Sequence, residues 1–302
     1  MKQLLILSGK GGTGKTTLAS AFIRFSQARA YADCDVDAPN LHLVMGQHSE
    51  PEKKDYYGLP KAQIDKSLCI HCDLCRSHCR FNAITVEGGY RVDPFACEGC
   101  GVCHFLCPAG AISMNDLPAG EMMLYRNTEV FSTAKLIMGS GNSGLLVTEV
   151  KKAMKNAGTS ELAIIDGSPG IGCPVIASLS GVDFVLIVAE PSLSGISDMK
   201  RIIKTAALQG VETAVCINKY DLNLENTRHI ENLCQELGVH FIGKIPFDPL
   251  ALEVVNSGRT IADIQCPSGK GAKDVFDELM GLMQKTNLIN LVVKGAVHER
   301  KL

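Results

Sequence analysis

Gln3-Leu4-Leu5-Ile6-Leu7-Ser8-Gly9-Lys10-Gly11-Gly12-Thr13-Gly14-Lys15-Thr16-Thr17 decides how the chain is read. The apolar run 3–7, closed by glycines, has the length and composition of a strand buried on both faces. Gly9 to Thr16 matches G-x-x-x-x-G-K-[ST], and a helical pattern follows over 15–27. Glycines let a loop backbone wrap around phosphates, and the helix behind it aims its N–H groups at the anion. A chance glycine-rich turn would lack both the strand before and the helix after. In this motif Lys15 contacts the β- and γ-phosphates and the Thr16 hydroxyl ligates Mg²⁺. Gly9, Lys10, Gly11, Gly12, Thr13, Gly14 and Thr17 complete the expected cradle for ATP or ADP.

Outward from the loop, apolar runs alternate with helical patterns. Strands are expected at 28–32, 161–165, 184–189, 213–217 and 240–245, and helices near 143–157, 195–209, 225–237 and 272–286. That rhythm predicts an α/β fold, a mostly parallel sheet with helices on both faces. It stops between about 55 and 118, where cysteines dominate. Pro51, Gly58 and Pro60 mark one edge of the interruption, and Pro118 and Gly120 the other. The expected organisation is one domain from 1–58 and 119–302, with a small α+β domain, 59–118, inserted in it.

The insert carries Cys69-x2-Cys72-x2-Cys75-x3-Cys79 and Cys97-x2-Cys100-x2-Cys103-x3-Cys107-Pro108. This is the bacterial ferredoxin spacing for two [4Fe–4S] clusters, in which the fourth cysteine of each run ligates the other run's cluster. Three thiolates of a tight loop cap three irons of a cube, and the fourth comes from elsewhere in the fold. One cluster is therefore expected on Cys69, Cys72, Cys75 and Cys107, the other on Cys97, Cys100, Cys103 and Cys79. Zinc sites are built from C-x2-C pairs, and two complete four-cysteine runs are more specific than that. Each run is followed by Ala-Ile (Ala83-Ile84 and Ala111-Ile112), as in a ferredoxin of two similar halves. His71, His78 and His104 stand among ligands that cysteine already supplies, so packing or exposed roles are expected. Arg80 follows Cys79 where Pro108 follows Cys107, and its charge is expected to raise the potential of the cluster that Cys79 ligates.

Lys10 directly after the first glycine, in Lys-Gly-Gly-Thr-Gly-Lys-Thr-Thr, resembles the deviant Walker A motif of the MinD/ParA/Mrp and nitrogenase iron-protein superfamily. The resemblance implies a SIMIBI-type P-loop ATPase that closes as an ATP-dependent sandwich dimer, homomeric or with a paralogue, Lys10 reaching the other subunit's phosphates. Asp33-Cys34-Asp35-Val36-Asp37 is similar to the family's switch I; the match puts Asp35 on the attacking water and Asp33 near Mg²⁺. Ile164-Ile165-Asp166-Gly167-Ser168-Pro169-Gly170 resembles switch II, with Asp166 at a strand's carboxyl end in a Walker B role. Ser168 replaces a proline there, which predicts a less rigid loop. Asn218 matches the position used for adenine, and Pro246, Phe247 and Asp248 would wall the same pocket. Cys173, just past switch II, resembles an intersubunit cluster ligand of the nitrogenase iron protein, but a buried or switch-coupled thiol fits as well.

Nearly the whole length resembles superfamily members that contain an inserted ferredoxin domain. Three functions follow from that resemblance. The first is an ATP-gated switch that passes single electrons through two [4Fe–4S] clusters to or from a redox protein. The alternative is an Mrp-type carrier delivering clusters to an apo iron–sulfur target. The third is a MinD/ParA-like positioning ATPase with the clusters as redox sensor. A net charge of −2 over 302 residues gives no electrostatic signal for nucleic acid or anionic membrane. No apolar run reaches membrane-spanning length, and eight of thirteen cysteines go to clusters, so a reducing cytoplasm is expected. The tail 288–302, with β-branched residues and Gly295, reads as a strand or frayed end.

Overall fold

The computed structural model describes residues 1–46 and 49–299, with side chains through residue 285. In chain order, β1 (Lys2–Leu7), α1 (Lys15–Ser26) and β2 (Ala30–Asp33) precede a short α2 (Leu41–Val44) and β3 (Glu52–Tyr57). Next come β4 (Lys61–Ile64), α3 (Leu74–Ser77), β5 (Ile84–Thr85), β6 (Arg91–Val92), α4 (Val102–Leu106) and β7 (Ile112–Asn115). They are followed by β8 (Pro118–Arg126), β9 (Val130–Leu136), α5 (Ser143–Ala157), β10 (Leu162–Asp166) and α6 (Cys173–Leu179). The order is completed by β11 (Phe184–Ala189), α7 (Leu193–Leu208), β12 (Glu212–Asn218), α8 (Leu224–Glu236), β13 (His240–Ile245), α9 (Pro249–Asn256) and α10 (Pro267–Glu299).

Nine strands form one sheet in the order β13-β12-β11-β1-β10-β2-β9-β8-β3. The first seven run parallel and the last two pairings are antiparallel. Strand periodicity divides the core. Leu5, Leu7, Val185 and Ile187 face a cluster completed by α5, α6, α7 and α8. Leu4, Ile6, Phe184 and Leu186 face the opposite cluster, completed by α1 and α10. Because both faces are covered, the central strands read as unbroken apolar runs. Their carboxyl ends line one edge, and the switch-like segments emerge there.

The edge strands β3, β8 and β9 had no clear signal in the sequence. In Glu-Lys-Lys-Asp-Tyr-Tyr only Tyr56 is buried, so no alternating pattern betrays a strand, and its charges suit an edge. What holds this edge is an aromatic stack, Tyr31–Phe131–Tyr125, with centroids 5.0 and 5.2 Å apart. The tail is a second departure: backbone helix continues to Glu299, where a strand or frayed end was expected. β-Branched residues and one glycine cost only about 0.5–1 kcal/mol each in a helix. Here they extend a helix already nucleated by docking, since Ala272, Val275, Phe276, Leu279 and Met283 are buried. Phe276 packs edge-on against Phe22 of α1 at 5.1 Å. Residues 300–302 of the tail lie outside the described residues.

Between β3 and β8 the chain builds two small sheets, β4·β7 and β5·β6, neither joined to the large one. Their buried apolar side chains are small or medium, Ala62, Ala83, Ile84, Cys97, Ala111 and Ile112, with Cys75, Cys79, Cys103 and Cys107 packed against the core. So little apolar burial leaves such a segment dependent on a further staple. Among the described residues no helix is long and apolar enough to cross a membrane.

Candidate functional site

The loop after β1 turns into α1 through Gly14, whose φ of 92° lies where L side chains are strained. A Cβ there would also strike the Asn218 amide. Lys15 is buried and donates to Asp166 Oδ1 at 2.5 Å. Burial pulls its ammonium toward neutrality, but Asp166, helped by Asp33 and Asp35, outweighs it and holds the pKa above the ordinary lysine value. Asp166 Oδ2 is buried without a partner. Asp33 is its register neighbour on β2 and accepts N–H bonds from Asp35, Asn40 and Leu41 at 2.9–3.0 Å. Burial, then the Asp166 charge, raises Asp33 to about 7. Asp35 is half-buried; burial raises its pKa although Lys15 opposes. Thus Asp33, Asp35 and Asp166 gather at one end of the sheet around Lys15.

Ser168 corrects the expectation of a looser loop. Its buried hydroxyl donates to the Cys34 carbonyl at 2.5 Å, and the Cys34 N–H reaches the Asp166 carbonyl at 2.7 Å. The two switch-like segments are strapped together by the residue that replaces proline. Asp37 is exposed, and nothing in the structure gives it a role.

Lys10 folds back within its own chain, its Nζ 3.3 Å from Ser192 Oγ and 3.6 Å from Glu190. Glu190 and Ser192 follow β11, and their placement at the carboxyl edge, beside β1, was the available signal for them. An ion pair this exposed contributes about 0–1 kcal/mol, so it leaves Lys10 free to move.

Gly12, Gly14, Thr17, Asn218, Pro246, Phe247 and Asp248 line an open hollow beside the phosphate loop, about 760 Å³ with open solvent counted. Asn218 donates to the Thr13 carbonyl at 2.7 Å and Lys219 to the Gly12 carbonyl at 2.9 Å. Asn218-Lys219 therefore shapes the phosphate loop as well as the hollow. Asp248 caps α9 through Leu250 N–H and accepts both the N–H and hydroxyl of Ser268, at 3.1 and 2.9 Å. Its carboxylate is occupied as a brace, while half-exposed Phe247 forms the open wall.

Eight of the thirteen cysteines divide between two other hollows. Cys69, Cys72, Cys75 and Cys107 line one. Cys79, Cys97, Cys100 and Cys103 line the other. Each combines three thiols of one run with the last thiol of the other. In the first, the Cys107 sulfur accepts the Ala111 N–H at 3.3 Å. Among the described residues no three His, Cys, Asp or Glu side chains converge on a point as a single metal ion needs. His78 and His104 bond the Leu74 and Ile112 carbonyls, and His71 stacks on Tyr90, the packing roles expected of them. Cys173 is exposed at the start of α6; Cys34, Cys216, Cys234 and Cys266 are buried.

Residues 4–261 match the model of the CobQ/CobB/MinD/ParA nucleotide binding domain. An uncharacterized protein of Methanocaldococcus jannaschii is 29% identical over 92% of this chain and 96% of its own. The iron-sulfur cluster carrier protein of Pyrococcus horikoshii is 22% identical over 94% and 87% of the two chains. Among solved structures, the septum site-determining protein MinD complexed with Mg-ADP from Pyrococcus horikoshii superposes with a TM-score of 0.56. That likeness, at 17% identity over 93% of this chain and 98% of that one, is one of fold. With the matched segment spanning most of its length, the chain belongs to the CobQ/CobB/MinD/ParA nucleotide-binding family.

Proposed function

We propose that this protein is an ATP-operated dimeric switch that gates one-electron transfer through two [4Fe–4S] clusters to or from a redox partner. The observation that carries the reading is the division of eight thiols into two hollows, each taking three from one run and one from the other. A cube binds its ligands through four separate irons, so thiols spread around a hollow, not converging on a point, suit it. The clusters would supply one-electron chemistry; the protein holds them, excludes water and sets their surroundings.

At the nucleotide end, the loop N–H groups and Lys15 take the phosphates, and the base occupies the hollow bounded by Asn218, Pro246 and Phe247. Thr16 and Asp166 would hold Mg²⁺, for which the unpartnered Asp166 Oδ2 is a ready ligand or acceptor of a bound water. Lys15 must leave Asp166 to reach a phosphate, so the buried ion pair belongs to the nucleotide-free state and breaks on binding. The strap from Ser168 to the Cys34 carbonyl transmits that change to the segment holding Asp35, which would orient the attacking water. Closure of two subunits lets Lys10 leave Glu190 and Ser192 for the partner's phosphates. Lys10→Ala should bind nucleotide normally yet fail to dimerise with a non-hydrolysable ATP analogue in sedimentation velocity. Unchanged dimerisation would remove the trans role.

The test of the whole is an anaerobic redox titration followed by electron paramagnetic resonance, without nucleotide, with ADP, and with Mg²⁺ and a non-hydrolysable ATP analogue. Two one-electron centres are expected, with a midpoint or line shape that changes in the ATP-like state. Absence of cluster signals would overturn the proposal. The carrier reading is favoured by the relatives at 22% identity named iron-sulfur cluster carrier proteins. It predicts instead that clusters leave for an apo-acceptor when ATP is added.

A further inference from the structure

Lys61 is the most deeply buried cation of the cysteine-rich segment, 6% exposed. Its ammonium donates to the Cys97 carbonyl at 2.5 Å and to the Ser140 carbonyl at 3.0 Å. Among the described residues no carboxylate comes within the 4.0 Å of an ion pair. A buried ammonium with only neutral hydrogen-bond partners carries an uncompensated desolvation cost. Its neighbour Ala62 and its partner Cys97 both line the hollow of the second thiol set. Glu98 also lines that hollow, with its carboxylate against Gly141 and outside ion-pair distance of Lys61. Four thiolates on an iron–sulfur cube make the site net negative and supply the larger counter-charge.

The other carbonyl it grips belongs to the loop between β9 and α5. That loop is tied to the exit of the segment, where Ile137 N–H and Ser140 Oγ both bond the Ala119 carbonyl at 2.8 and 2.9 Å. A Cβ at Gly139 would meet the Phe95 ring at 3.1 Å and one at Gly141 the Glu98 carboxylate at 3.2 Å, so the start of the second cysteine run packs closely on the loop as well. At its far end the loop enters α5, where Gly144 admits the Cys173 carbonyl; a Cβ there would stand 3.3 Å from it. Cys173 opens α6 just past Asp166 and Ser168, and Lys151 of α5 clamps the other end of α6 through the Ala177, Ser178 and Ser180 carbonyls. A continuous packed path thus runs from the carboxylates of the phosphate site to the backbone of Cys97.

We propose that Lys61 is a positioning residue for the second cluster. It is that cluster's counter-cation, and it straps Cys97 to the loop that follows the nucleotide switch. Arg80, the cation singled out by the sequence, is exposed, where water and salt screen its charge; Lys61 is shielded from both. The inference rests on the proposed cluster function, and a wild-type protein without clusters would sink that function before Lys61 is tested.

The experiment titrates the wild type, Lys61→Met, Lys61→Gln and Lys61→Arg anaerobically by electron paramagnetic resonance. The second cluster's signal is assigned as the one missing from Cys100→Ala. In Met and Gln its reduction equilibrium should fall at least tenfold, about 59 mV for one electron, and lose its response to the ATP analogue. The first cluster should not move, and Arg should restore both properties. An unchanged second midpoint in Met or Gln, or an equal shift of both clusters, overturns the proposal. Selective loss of the second cluster from Met and Gln supports it if Arg restores the cluster and overturns it if not. Should Met and Gln fail to fold, hydrogen exchange in the wild type decides. Amides of 97–101 and 137–142 should change protection together on nucleotide binding, and independent behaviour overturns the strap.

Discussion

Lys15→Ala should abolish ATP hydrolysis while leaving both clusters in place. Loss of the phosphate loop's own ammonium removes transition-state charge stabilisation at the β- and γ-phosphates, and even one such donor elsewhere costs about 10²–10³-fold in kcat. The structure adds a second consequence. Lys15 is the partner of Asp166, with Asp33 alongside, all three buried. Removing one member of a buried ion pair costs about 3–5 kcal/mol because the other charge is stranded. The variant should therefore unfold at markedly lower denaturant concentration, and phosphate release should fall to background. Iron content and visible absorbance should match the wild type, because the partner of Lys15, Asp166, lies outside the cysteine-rich segment. Loss of absorbance with the activity would show that the two parts do not hold their cofactors independently.

Cys107→Ala should erase the cluster of the first cysteine run, not that of its own. The variant's iron should fall by about half, and its resonance spectrum should coincide with that of Cys72→Ala. If each run served its own cluster, Cys107→Ala would coincide with Cys100→Ala instead. The arrangement of thiols in two hollows points to the crossed outcome, with Cys107 beside Cys69, Cys72 and Cys75. The reciprocal variant, Cys79→Ala, should match Cys100→Ala, since Cys79 lines the other hollow. Because the buried apolar side chains of this segment are few and small or medium, loss of one cluster should also raise its hydrogen exchange and protease sensitivity.

Much of the parallel sheet was legible from the chain. The run 3–7 and the segments near 161–165, 184–189 and 213–217 are largely buried on both faces, so apolar composition alone reveals them. The helix over 143–157 coincides with α5. The edge formed by β3, β8 and β9 was not legible. An exposed strand carries charge on both faces, and its pairing partner in β8 lies more than sixty residues away. The helical tail was misread because propensity is a weak local prior, overridden where the preceding turns are already docked.

By themselves, the residues of this chain determined the chemistry on offer: a phosphate loop, carboxylates at strand ends, and eight thiols in two spaced runs. These follow from contiguous motifs, in which spacing of a few residues sets geometry directly. Only the tertiary structure decided which groups oppose one another. It put Lys15 on Asp166, Lys10 on Glu190, Ser168 on the Cys34 carbonyl, and Lys61 between the Cys97 and Ser140 carbonyls. Those partners stand from 36 to 180 residues apart, brought together by sheet order and helix packing. A lysine or serine chosen by such distant neighbours carries no local pattern, because its partner is a backbone carbonyl or a lone carboxylate that any sequence could supply.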